Sequence, residues 1–193
     1  MARKKEFDQE EVLGKAMMTF WHYGYEGTSM QNLVEAMGIN RGSLYDTFGD
    51  KRSLFLSAIA HYEKTVIKQM IASLKQDDAS KQTIVNLFRG LVQRITENNH
   101  FYGCLITNTA IELCPHDAQT QSQIDTNFRN ITNAFQQILQ KAQAQGEIAK
   151  ERDITSMAQY LTSSLQGLQV IAKVNRDRET LNNIVNVILS VLD

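Results

Sequence analysis

Along this chain apolar residues return at intervals of three and four rather than in alternation, so the pattern predicts helices throughout. Asp8 with Glu11 makes a capping-box signal for a first helix, which carries Val12, Leu13, Ala16, Met17 and Phe20 on one face and stops near Gly24. Thr28 or Ser29 caps a short second helix bearing Leu33, Val34 and Met37, and Gly38 follows as a left-handed turn residue. Asn40 caps a third short helix that buries Leu44 and Phe48. Asp50 caps a long helix running through Leu54, Phe55, Ala58, Tyr62, Val66 and Met70 to about Leu74, long enough to join two domains mechanically. After a polar turn around Gln76 to Ser80, the spacing predicts helices at 80–97, 104–113, 118–145, 154–174 and 178–192. Pro115 separates the second and third of these, and Gly146 ends the third. The expected fold class is all-α, divided into a three-helix unit at 1–52 and a larger helical domain at 53–193.

With 193 residues, 42% of them hydrophobic and 21% charged, the composition suits a globular protein with a small module and a larger core. No apolar run approaches the roughly 18 residues that span a bilayer. The start, Met1-Ala2-Arg3-Lys4-Lys5-Glu6, lacks the apolar stretch of a signal peptide, so a cytoplasmic protein without a membrane partner is expected. Cys104 and Cys114 are too few for a disulfide framework and are expected as thiols. The formal net charge of −1 gives no global argument for nucleic acid, so DNA binding must rest on local motifs.

Two short helices joined through a glycine, with a supporting helix before them, describe a helix-turn-helix unit whose second short helix enters the DNA major groove. An ordinary helical hairpin gives the same periodicity. The residues separate the two readings. The stretch Tyr25-Glu26-Gly27-Thr28-Ser29-Met30, followed by Leu33 to Phe55 with its Asn40-Arg41-Gly42-Ser43-Leu44-Tyr45 and Phe48-Gly49-Asp50-Lys51 segments, resembles the signature of the tetracycline-repressor (TetR) family of transcriptional regulators. The resemblance covers about residues 8–56, with Val34 and Met37 standing where alanine is common. It implies a DNA-binding regulator, a repressor released from a palindromic operator by a small-molecule inducer, with a C-terminal ligand-binding and dimerisation domain.

On that reading Gly42 lets the recognition helix approach the groove, and Asn40, Arg41 and Ser43 lie at the helical end that reaches base edges. Thr28, Tyr45 and Lys51 are placed to hold phosphates, with Gln31 on the preceding helix beside them. Arg3, Lys4 and Lys5 form a basic arm suited to the adjacent minor groove, or else a solvated terminus.

The last two predicted helices are amphipathic, which a bundle core alone explains. The resemblance implies instead that they pair across a twofold axis in a homodimer, with Met157, Leu161, Ser164, Leu165, Gly167, Leu168, Ile184, Ile188 and Val191 at the interface. A dimer with two recognition helices reads an inverted repeat in double-stranded DNA. Phe88, Phe101, Tyr102, Cys104, Asn108, Phe128, Tyr160 and Gln166 mix aromatic walls with polar anchors and are the candidates for a small-molecule pocket, although each also suits a core position.

The segment Gly103 to Glu112 resembles one found in a TetR branch that includes electrophile-sensing repressors, and a thiol at a helix N-terminus gains thiolate character. Cys104 is thus either a sensor or a buried structural cysteine. His100, Cys104, Cys114 and His116 do not have the spacing of a recognised finger, so no metal is expected. With no phosphate loop, dinucleotide glycine pattern, nucleophile elbow or His-Glu-x-x-His helix, nothing assigns catalysis or a cofactor. A helical adaptor that binds only a protein partner is the reading from another class, and it lacks the steep salt dependence of phosphate contacts.

Overall fold

The computed structural model describes residues 7–76, 78–98 and 100–193, and among these there are helices and turns but no strand. Helix α1 (Gln9–Tyr23) starts where Asp8 accepts the backbone N–H groups of Glu10 and Glu11, and α2 (Met30–Met37) starts at a capping box between Ser29 and Asn32. Ser29, not Thr28, is therefore the cap. Gly38 ends α2 in the left-handed conformation, and Asn40 opens α3 (Arg41–Phe48) by accepting from the Ser43 N–H. Phe20, Leu33, Met37, Leu44 and Leu54 are fully buried between these helices and the next, with the Phe20 and Phe55 rings edge to face at 4.9 Å.

Residues 51–74 run as one rod with a defect in it. Helix α4 (Lys51–Tyr62) passes into a π-helical turn (Glu63–Ile67), where the Lys68 N–H reaches back five residues to the Glu63 carbonyl, and continues as α5 (Lys68–Leu74). The apolar spacing predicts the rod but not the defect, because Val66 keeps the four-residue spacing from Tyr62 while the widened turn leaves it 36% exposed and buries Ile67, five residues after Tyr62, instead. Such turns occur mostly as single insertions and often at functional positions.

The larger part comprises α6 (Lys81–Glu97), α7 (Leu105–Glu112), α8 (Ala118–Ala144), α9 (Ile154–Val174) and α10 (Arg178–Leu189), closed by a short 3-10 turn (Ser190–Leu192). Helix α8 packs along α9, α10 lies on α6 and α9, and α5 rests on α8. Phe88 and Phe135 stack in the middle of this core, their centroids 6.3 Å apart. No described helix is long and apolar enough to cross a membrane.

Candidate nucleic-acid interface and internal cavity

Helix α3 buries only Leu44 and turns Arg41, Gly42, Tyr45 and Asp46 outward. Tyr45 is 43% exposed despite its ring, and the Arg41 guanidinium lies 5.8 Å from that ring's centre with one nitrogen 3.5 Å from the phenol oxygen. A cation and a hydroxyl thus stand side by side on the open face. Asn40 uses its carbonyl oxygen on the cap, which leaves its amide N–H groups outward. A Cβ on Gly42 would stand 3.3 Å from that same Asn40 oxygen, so the glycine protects the cap as well as the approach to the outer face.

The neighbouring residues divide. Lys51, at the start of α4, holds its ammonium over the Tyr25 ring at 4.4 Å, and Gln31 is exposed with its amide on Glu35. Thr28 is not available in the expected way: it is 1% exposed and donates its hydroxyl to the Gly24 carbonyl at 2.6 Å, because it tightens the α1–α2 turn. Ser29 is the exposed hydroxyl at that position. Arg3, Lys4 and Lys5 lie outside the described residues.

Two carboxylates from the larger part grip the three-helix unit, and neither contact is marked by any local signal in the chain. Glu112, at the end of α7, accepts the backbone N–H groups of Tyr25 at 3.0 Å and Glu26 at 2.8 Å. Gly24 makes room for it: its φ is 77°, and a Cβ there would lie 2.9 Å from the Glu112 carboxylate. Asp117, the cap of α8, accepts from the Thr120 N–H and receives Arg52 of α4 in a two-pronged pair, one prong at 2.9 Å. The Arg52 guanidinium, and after it the Thr120 N–H and hydroxyl, hold Asp117 well below the usual carboxylate range.

Where the π-turn meets α6, α8 and α9, a cavity of about 400 Å³ opens. Tyr62, Thr65, Val66 and Ile67 of the rod form one wall, and Leu87, Leu91, Ile131 and Leu165 supply apolar surface opposite. Tyr62 donates its hydroxyl to the Cys104 sulfur at 3.7 Å. Burial, then the neighbouring thiol, push the Tyr62 phenol well above its ordinary value, and the positive charge of Arg94 acts in the other direction. Arg94 lines the cavity too, as does Gln166, whose amide oxygen accepts from Thr107 at 2.6 Å while its buried amide nitrogen has no partner.

Of the expected pocket residues, Cys104 and Gln166 line this cavity and the other six do not. Phe88 stacks on Phe135 in the core, and Phe128 packs half-buried against it. Tyr102 turns towards α1, against Trp21 and His22, and lines a shallower cleft there. Asn108 donates to the Tyr102 carbonyl, Phe101 gives its carbonyl to Arg176, and Tyr160 is exposed on the outside of α9. Aromatic character alone does not distinguish a wall from a core. Arg94 did carry a signal, since it follows Leu87 and Leu91 at helical spacing and so puts a charge on an apolar stripe. Cys104 itself caps α7 and is 3% exposed.

Residues 12–58 match the family model for bacterial regulatory proteins of the tetR family, and residues 81–188 match that for tetracyclin repressor-like C-terminal domains. The chain belongs to the TetR family. Over its whole length it is 40% identical to the whole of YezE, a helix-turn-helix-type transcriptional regulator of Bacillus subtilis strain 168. It is 29% identical to ComR, a helix-turn-helix-type transcriptional repressor of Escherichia coli K12, over 94% of this chain and 87% of that protein. Among solved structures, a cysteine mutant of the TetR-family regulator CifR in complex with 26-bp double-strand operator DNA superposes with a TM-score of 0.86 at 31% identity, covering 97% of this chain and 98% of that one.

For this TetR-family chain the expected interface stripe needs correction. Met157, Leu161, Leu165, Leu168 and Ile188 are buried within the protomer, because this stripe of α9 and α10 faces α8 and α6. Ser164, Ile184 and Val191 are half-buried and Gly167 is exposed. The apolar side chains left open are Tyr160, Val170, Ile171 and Val174 on α9 and Val187 on α10.

Proposed function

We infer that the protein is a transcriptional repressor that binds an inverted-repeat DNA operator as a homodimer and leaves it when a small-molecule effector binds. The observation that carries this reading is the outward Arg41–Tyr45 pair on α3, at the helical end that reads base edges, on a chain of this family. The DNA-reading head is assigned to 1–52 and the sensing and pairing domain to 53–193, with Asn40, Arg41 and Ser43 at bases and Gln31, Tyr45 and Lys51 at phosphates. The basic arm Arg3, Lys4, Lys5 is assigned to the minor groove. Its place of action is the cytoplasm, and no catalysis is assigned to it. Tyr160, Gly167, Val170, Ile171 and Val174 share one face of α9 at helical spacing, which suits a twofold contact with the same helix of a second copy.

Effector control follows from continuity. The π-turn walls the cavity, and the same rod begins at Lys51 beside the recognition helix. A ligand that favours one packing of the π-turn biases the tilt of α4 and with it the spacing of the two recognition helices. The deciding experiment is selection of random duplex DNA by the purified protein at low and moderate salt, with Arg41→Ala and Tyr45→Ala beside it. Enrichment of an inverted repeat by the wild type, lost in both variants, is the expected result. Binding with no enriched sequence overturns the reading and leaves the protein-binding adaptor.

A further inference from the structure

We propose that the cavity binds an amphipathic organic carboxylate, its anion held between Arg94 and Gln166 and its apolar body laid along Leu87, Leu91, Ile131 and Leu165. This rests on the effector-sensing reading above and names the chemical class of the effector. Arg94 and Gln166 both line the cavity; Tyr62 touches the Cys104 sulfur, and Thr107, three residues further along α7, holds the Gln166 oxygen, so Tyr62 and Gln166 are both tied to the start of α7. What these groups offer a ligand is donors. The Gln166 amide nitrogen is buried without a partner, an arrangement that costs free energy until an acceptor arrives. Among the described residues the Arg94 guanidinium makes no hydrogen bond or ion pair, and no Asp or Glu lines the cavity to neutralise it.

The hydroxyls of Thr65 and Ser73 donate to the backbone carbonyls of His61 and Met70, so their protons are already committed, and the other polar lining groups, the Gln69 and Gln169 amides, are neutral and do not offset the Arg94 charge. A cationic ligand would face Arg94 with nothing to balance it, and a neutral hydrocarbon would leave the Gln166 donors unmet. A carboxylate satisfies both with charge-assisted bonds, while the aliphatic wall takes a chain or ring.

The test is calorimetric titration of the full-length protein, without DNA, with octanoate, octanamide and octylamine. The expected result is octanoate binding about tenfold tighter than octanamide, and no measurable octylamine binding. Arg94→Gln, a change at an exposed position, brings octanoate down to the octanamide level, so that the variant no longer prefers the acid. Gln166→Leu weakens both. Equal binding of the acid and the amide, a preference that survives Arg94→Gln, or no octanoate binding by a wild type with a normal melting curve overturns the proposal. Because no DNA is present, the two ideas fail separately. An enriched operator without carboxylate binding removes only the ligand class, and carboxylate binding without an enriched operator removes only the repressor reading.

Discussion

Glu112 of α7 receives the backbone N–H of Tyr25 at 3.0 Å, so the C-terminal end of a helix in the larger part serves as the missing acceptor for the turn between α1 and α2. Its other oxygen takes the Glu26 N–H at 2.8 Å. Ala at 112 leaves both amides without this partner and is expected to destabilise by about 1–3 kcal/mol. Hydrogen exchange checks this more directly than melting does. The Tyr25 and Glu26 amides are expected to exchange faster in Glu112→Ala while α8 and α9 keep wild-type protection. Unchanged exchange at those two amides would show that the clasp does not persist in solution.

The second link between the two parts, Arg52 to Asp117, is sensitive to acid. Its carboxylate is held below its ordinary value of 3.8 in the folded protein, so the folded state binds fewer protons than the unfolded chain as pH falls through this range. The stabilisation is complete above the unfolded value and is lost as pH drops below it towards the folded value. Asp117→Asn keeps a capping side chain on α8 but loses the ion pair. Urea midpoints of wild type and variant are expected to differ by a constant amount between about pH 5 and pH 7 and to converge below about pH 4. A gap that widens on acidification would contradict the assignment.

Local signals made the head legible in the sequence, and non-local packing hid the rest. Asp8, Asn40 and Asp50 are short-range caps whose partners lie two or three residues away, so the chain alone announces them. At the π-turn Glu63–Ile67 the apolar Val66 keeps the ordinary spacing and masks the shift of the buried face to Ile67, and the Glu112 and Asp117 contacts join residues 65 to 87 positions apart. The cavity depends on which inward side chains happen to border empty space. Phe88 and Leu87 are neighbours in sequence, yet one stacks on Phe135 and the other faces the cavity.

That pair supports a contrast. Phe88→Ala removes a fully buried ring from the centre of the larger part's core and is expected to cost about 3–5 kcal/mol, seen as a lower urea midpoint. Leu87→Ala enlarges a space that is already open and is expected to cost less than about 2 kcal/mol. Equal losses would mean that the cavity closes in solution.

Lys51, the first residue of α4, holds its ammonium over the Tyr25 ring. If it holds a phosphate, Lys51→Ala weakens binding to all operator variants about equally and lowers the slope of log affinity against log salt by about one. Arg41→Ala, by contrast, is expected to cost about 1–3 kcal/mol at one base position and to relax the sequence preference there. Competition binding with single-base operator variants at several salt concentrations separates the two roles.

Helix α9 carries two apolar faces, and their fates distinguish folding from pairing. Leu161 is fully buried against the bundle, whereas Val174 is 91% exposed and Ile171 lies beside it. A monomer leaves that outer face in water, and a twofold partner covers it, with Gly167 allowing the helices to approach. The double change Ile171→Asp with Val174→Asp is therefore expected to halve the mass measured by light scattering from twice 21.9 kDa while the far-UV circular dichroism stays helical. Leu161→Ala is expected to cost about 2–5 kcal/mol of stability and to leave the remaining folded protein dimeric. Operator affinity should fall in the double variant at protein concentrations where the wild type is paired, because one head alone reads only half of an inverted repeat. A double variant that stays dimeric would place the twofold contact on another surface.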